Sequence, residues 1–96
     1  MSAQAGSAAR KVTGGKLVRV DVWYGQQIEK VAITGDFFLY PEETLAEIEN
    51  VLVGAVLPFD RGHLVVRIHK VVDDLQATLV GFTPQDLVEL LEEAVK

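Results

Sequence analysis

Residues 17–34 read LVRVDVWYGQQIEKVAIT, and this stretch decides the fold. Val18, Val20 and Val22 alternate with Arg19, Asp21 and Trp23, the period-2 pattern of a strand with one face buried. Gly25 and Gln26 break the run. Between Ile28 and Thr34 the pattern returns, with Val31 and Ile33 on one face and Lys30, Ala32 and Thr34 on the other, so the two runs predict an antiparallel hairpin. Phe37 to Tyr40 reads as a short third strand. A sheet this small is marginal in water, and its apolar face predicts helices that cover it.

Those helices are legible downstream. Pro41 suits a first helical turn because its missing N–H has no intrahelical partner there, and Glu42 and Glu43 favour the positive end of the helix dipole. The pattern predicts a helix from about Pro41 to Val53, with Leu45, Ile48 and Leu52 as its buried stripe and Gly54 as its stop. Val56 to Gly62, with Pro58 inside, reads as a connector. Leu64, Val65, Ile68, Val71, Val72, Leu75 and Leu79 then recur at helical spacing, which predicts a second helix despite many β-branched residues. Thr83, Pro84 and Asp86 supply an N-cap, a first-turn proline and an acid at the third position, opening a last helix through Leu87, Leu90, Leu91 and Ala94. The expected class is α+β, a small antiparallel sheet of two or three strands followed by and packed against three helices.

Upstream of the hairpin, Ser2 to Thr13 is small and polar with no apolar period. It reads as a flexible tail over residues 1–11, with the folded domain spanning 12–96. The 96 residues fit one domain. Nearly half of them are apolar, which is the balance of a globular chain. No run of about 18 apolar residues is present and the N-terminal residues lack the apolar stretch of a secretory signal, so the expected location is cytoplasmic, away from membranes. The chain has no cysteine, which excludes thiolate nucleophiles, persulfide chemistry and Cys-type zinc sites. The net charge is −5, which argues against nucleic-acid binding, whose affinity rests on neutralising phosphates. Its distribution is uneven, +3 over residues 1–34 and −8 over residues 35–96. Lys16, Arg19 and Lys30 read either as a basic face for an anionic partner or as solvated surface charge.

Motifs for chemistry fail when their spacing is tested. Thr13-Gly14-Gly15-Lys16 resembles the end of a phosphate loop, but Arg10 stands where that loop needs Gly and Leu17 where it needs Ser or Thr. It reads as a turn. His63 and His69 are six apart, unlike the i, i+4 pairs of zinc-binding helices. Asp73, Asp74, Glu89, Glu92 and Glu93 occupy polar positions of amphipathic helices and read as solvated faces. Ser2 and Ser7, the only serines, lie in the tail and build no triad. No catalytic or metal-binding residue emerges. One segment stands apart: Ile33-Thr34-Gly35-Asp36-Phe37-Phe38-Leu39-Tyr40-Pro41 puts aromatics and a carboxylate into the turn between sheet and helix. Its two readings are a tight turn with Phe37 or Phe38 in the core, and an aromatic anchor for a partner.

Leu17 to Val22, the Ile33 to Phe38 turn, Leu45 to Gly54 with its Leu52-Val53-Gly54 end, and Gly81-Phe82-Thr83-Pro84-Gln85-Asp86-Leu87 resemble, in order, the C-terminal accessory domain of lipoate protein ligases. The resemblance covers about residues 12 to 95, and the Gly35-Asp36-Phe37-Phe38 turn is its most specific piece. Where many relatives continue that turn with Gly, this chain has Leu39-Tyr40-Pro41-Glu42. Only a short tail precedes the matching region, so the resemblance implies the separate small subunit of a two-protein ligase, a form known in archaea. It further implies a reaction carried out by the complex. Lipoate and ATP, with magnesium, give lipoyl adenylate and pyrophosphate, and the lipoyl group then passes to a lysine of an acceptor protein. The family places the catalytic lysine and nucleotide contacts in the large catalytic subunit, so this chain is expected to bind no cofactor alone and to serve the adenylation step. Gly35, Asp36, Phe37, Phe38 and Tyr40 are the expected motif and partner-contact residues. The alternative is a free-standing protein-binding or scaffold module without enzymatic role.

Overall fold

A computed structural model describes residues 4–11 and 16–95. Three strands, β1 (Gln4–Lys11), β2 (Leu17–Tyr24) and β3 (Ile28–Gly35), form an antiparallel sheet in the order β1-β2-β3. The central register sets Val20 opposite Ile33 and Val22 opposite Val31. All four of these side chains, with Val18, are buried, as alternation requires when helices cover one face only. A bulge between Trp23 and Tyr24 leads into the turn at Gly25 and Gln26.

The remaining elements are β4 (Phe38–Tyr40), α1 (Glu43–Leu52), α2 (Arg61–Asp74), β5 (Thr78–Val80) and α3 (Pro84–Ala94). Helices α1 and α3 pack on the main sheet and α2 packs against both of them, so the chain is an α+β domain. Leu87, Val88, Leu90 and Leu91 of α3, Ile48 and Leu52 of α1, and Leu64 and Ile68 of α2 fill the core with the sheet valines. Each such side chain contributes about 1.5–3 kcal/mol by leaving water. The Thr83 hydroxyl accepts from the Asp86 N–H and the Asp86 carboxylate accepts from the Thr83 N–H, the reciprocal cap expected for α3.

Several expectations are corrected. The flexible tail is a strand over Gln4–Lys11, laddered to β2 along its whole length. Its apolar alternation is missing because the sheet there lies close on α3. A Cβ at Gly6 would stand 1.8 Å from the Ala94 carbonyl oxygen, so only small residues fit. The main sheet therefore gains its third strand from the N-terminal side, and Phe38–Tyr40 instead pairs with Thr78–Val80 in a second sheet. That sheet takes Leu79 out of the predicted helix, since α2 stops at Asp74 and Gln76 adopts φ +50. The β-branched Thr78 and Val80 follow strand propensity once the turn has released them. α2 also starts a turn early, at Arg61, because the Asp60 carboxylate caps it by accepting from the His63 N–H. α1 begins at Glu43 rather than Pro41. The turn expected at Gly14 and Gly15 lies outside the described residues.

Candidate functional site

The two sheets meet at one end of the molecule. There the Asp36 N–H donates to the Leu17 carbonyl at 2.8 Å and folds the chain back over the start of β2. Gly35 makes this possible: its φ is +147, and a Cβ would lie 2.2 Å from the same Leu17 oxygen. Phe37 then turns inward and meets Phe82 edge to face, with ring centroids 4.9 Å apart. Behind this pair Gly81 leaves room for the backbone, since a Cβ there would stand 3.0 Å from the Phe37 Cβ and 3.4 Å from the Lys16 Cγ.

Phe38 and Tyr40 point the other way. They flank the buried Leu39 on β4, and period-2 geometry turns both outward, where they are 58% and 65% exposed. Val80 lies opposite Phe38 across the ribbon and is itself half exposed, so Phe38, Tyr40 and Val80 make an exposed apolar patch there, beside Thr78. A groove of about 310 Å³ opens beside it, lined by Phe37, Phe38, Leu39, Tyr40, Glu42 and Leu45. Exposed aromatics backed by a packed ring pair are the architecture of an interface anchor.

The two readings of the turn thus divide between its aromatics. Phe37 belongs to the packing and Phe38 with Tyr40 to the surface, while Gly35 and Asp36 shape the loop. The three basic residues fall on β2, on β3 and just before β2. Lys16 joins this end of the molecule, against Gly81. Arg19 lies on the outer sheet face in a fork with Asp21, donating from Nε at 3.0 Å and Nη2 at 3.0 Å. That hydrogen bond lowers the Asp21 carboxyl below its ordinary range and raises the Arg19 guanidinium. Lys30 sits 5.1 Å over the Trp23 ring. Arg19 and Lys30 therefore share the outer face of the main sheet, in register with Thr34 and Trp23 respectively. Val80, Gly81 and Phe82 were missed as site residues, because their partners lie some forty positions upstream and no local pattern links them.

The acids read as solvated faces are partly engaged. Glu89 and Glu93 bond Arg10, Glu92 pairs with Arg61 at 3.1 Å, and Asp74 pairs with Lys70 at 3.4 Å. A second hollow of about 320 Å³, between Leu57, Pro58, Phe59, Glu92 and Val95, lies at the far end of the domain, away from the aromatic turn. Among the described residues no group of three or more acids or histidines is placed to hold a metal ion. No helix formed by the described residues is long and apolar enough to cross a membrane.

The chain is thus an α+β domain with one exposed aromatic end. Neither a protein-family model nor a curated protein matches the sequence. A solved structure does. The chain is similar to one from an archaeal lipoylation system, a bipartite lipoate protein ligase and its E2 lipoyl domain from Thermoplasma acidophilum. The likeness has a TM-score of 0.66 and 25% identity, and it covers 93% of this chain and 96% of that chain.

Proposed function

We propose that the chain is the non-catalytic small subunit of a bipartite lipoate protein ligase. It acts with a large catalytic subunit in the ATP-dependent conversion of lipoate to lipoyl adenylate, before transfer to a lysine of an acceptor protein. The observation that carries this reading is the likeness over nearly the whole of both chains to a component of a lipoylation system. The resemblance of the Gly35-Asp36-Phe37-Phe38 turn to the accessory domain supports it independently, and so does the exposure of Phe38 and Tyr40 beside that turn.

In this reading the large subunit supplies the nucleotide, magnesium and lipoate contacts, and this chain supplies a docking surface. Gly35 and Asp36 set the loop, Phe37 locks it onto Phe82, and Phe38 and Tyr40 enter the partner. The test is reconstitution. Purified chain with ATP and lipoate is expected to give no lipoyl adenylate, the large subunit with this chain is expected to give it, and the two are expected to co-purify. Adenylate formation by the chain alone, or full activity of the large subunit without it, would refute the assignment.

A further inference from the structure

We propose that the open edge of β1 is a docking lane for an extended, Lys- or Arg-bearing segment of another protein, added as a fourth strand of the main sheet. The inference rests on the sheet edge and is independent of the Gly35 to Tyr40 end. Growth at the opposite edge is blocked. On β3 the Ile28 N–H donates to the Ala55 carbonyl at 2.9 Å, the Ile28 carbonyl accepts from Gly54 at 2.7 Å, and the Ile33 N–H donates to the Glu49 carboxylate at 3.1 Å. Helix α1 and the connector after it thus close that side.

β1 is different. It ends the strand order, and among the described residues no backbone hydrogen bond beyond its ladder with β2 is formed. It runs eight residues in unbroken register with β2, has no proline and no bulge, and presents the short side chains of Ala5, Ser7 and Ala9 on the exposed sheet face. Natural edges are usually blunted by bulges, prolines or long charged side chains; β1 carries such charge only at its Arg10-Lys11 end, and the rest of the edge is open to another strand through main-chain hydrogen bonds.

The neighbouring helix sets the chemistry of that strand. Asp86, Glu89 and Glu93 of α3 recur at i, i+3 and i+7 and so form a stripe beside the β1 edge. Arg10, turned inward from β1, is 3.9 Å from Asp86 and 3.4 Å from Glu93 and bonds Glu89. Three carboxylates thus face one guanidinium. A strand added outside β1 lies about 4.8 Å further out, and its inward positions face the same stripe as Arg10. Long basic side chains there continue the pairing that Arg10 begins, whereas an acidic segment is repelled. A second copy of this chain fits poorly, because antiparallel pairing of two β1 edges brings two acidic stripes together.

The test uses the whole chain, labelled with ¹⁵N, and two eight-residue probes, an alternating Lys-Val peptide and an alternating Glu-Val peptide. The Lys-Val peptide is expected to shift the Gln4–Lys11 amides and slow their exchange, with affinity falling about tenfold in high salt and in the E89Q/E93Q variant. A matching melting curve for that variant shows that the fold is intact, and if it is not, the salt titration of the unaltered chain tests the same charge pairing. The proposal is overturned by equal binding of the Glu-Val peptide, or by shifts confined to the Phe38 and Val80 end. It is equally overturned by no shift at millimolar Lys-Val peptide, or by β1 shifts that track protein concentration without peptide, which would make the occupant a second copy.

Discussion

Phe37 and Phe38 are adjacent in the chain and stand in opposite environments, so truncating each to Ala separates folding from docking. A fully buried Phe→Ala change costs about 3–5 kcal/mol. Phe37 is half-buried and makes one edge-to-face contact worth about 0.5–1.5 kcal/mol beyond its area. The expected loss for Phe37→Ala is therefore about 2–3 kcal/mol. In a domain of this size each kcal/mol moves Tm by roughly 4–8 °C, which predicts a drop of roughly 10–20 °C. Phe38 loses little by truncation, since it is 58% exposed and pairs across the ribbon only with Val80. A cross-strand contact of that kind is worth about 0.2–1 kcal/mol. On the proposed function its effect falls on binding to the large subunit, where an aromatic anchor contributes about 2 kcal/mol or more, close to a thirtyfold change in Kd. Thermal unfolding of the lone chain measures the first quantity, and calorimetric titration with the large subunit measures the second. With Phe38→Ala, adenylate formation by the complex should slow, while transfer from pre-made lipoyl adenylate should suffer less. The reasoning fails if Phe38→Ala melts as low as Phe37→Ala, or if it binds the large subunit as tightly as the unaltered chain.

Three further outcomes are expected. Gly35→Ala should lower stability by about 1–3 kcal/mol, because the residue sits at φ +147 with its Cβ direction closed by the Leu17 carbonyl; an unchanged melting curve would refute the turn geometry. Arg10→Gln should cost at most about 1 kcal/mol globally, since the pair is partly exposed, yet it should speed amide exchange in Gln4–Lys11 ahead of the β2–β3 amides; uniform exchange across all three strands would show that the contact with Glu89 does not hold β1. The Arg19 hydrogen bond lowers the Asp21 pKa, so this pair stabilises the fold above the unfolded value of about 4 and loses that contribution as pH falls through the lower folded value. Asp21→Asn should accordingly flatten the acid limb of a stability-versus-pH curve slightly, and an unaltered limb would show that the fork contributes nothing in solution.

The sequence by itself determined the elements whose signals are local. Alternating valines at 18, 20 and 22, with Val31 and Ile33, can bury one face only as strands, and the Thr83-Pro84-Asp86 opening satisfies the orphan N–H groups of a helix wherever it sits. A turn after β3 was legible too, because Gly35 permits backbone angles other residues avoid, but which of its aromatics packs inward was left open. Tertiary structure decided the rest. Gln4–Lys11 carries no apolar period, and it becomes a strand because β2 offers an unpaired edge and α3 comes too close at Gly6 for a side chain there. Leu79 fits a helical stripe by spacing, but pairing with Leu39 across some forty residues draws it into β5. The same long-range pairing turns Phe38, Tyr40 and Val80 to one face while Phe37 packs on Phe82. A one-dimensional pattern names the residues that prefer burial, but only the packed chain settles which neighbour each of them finds.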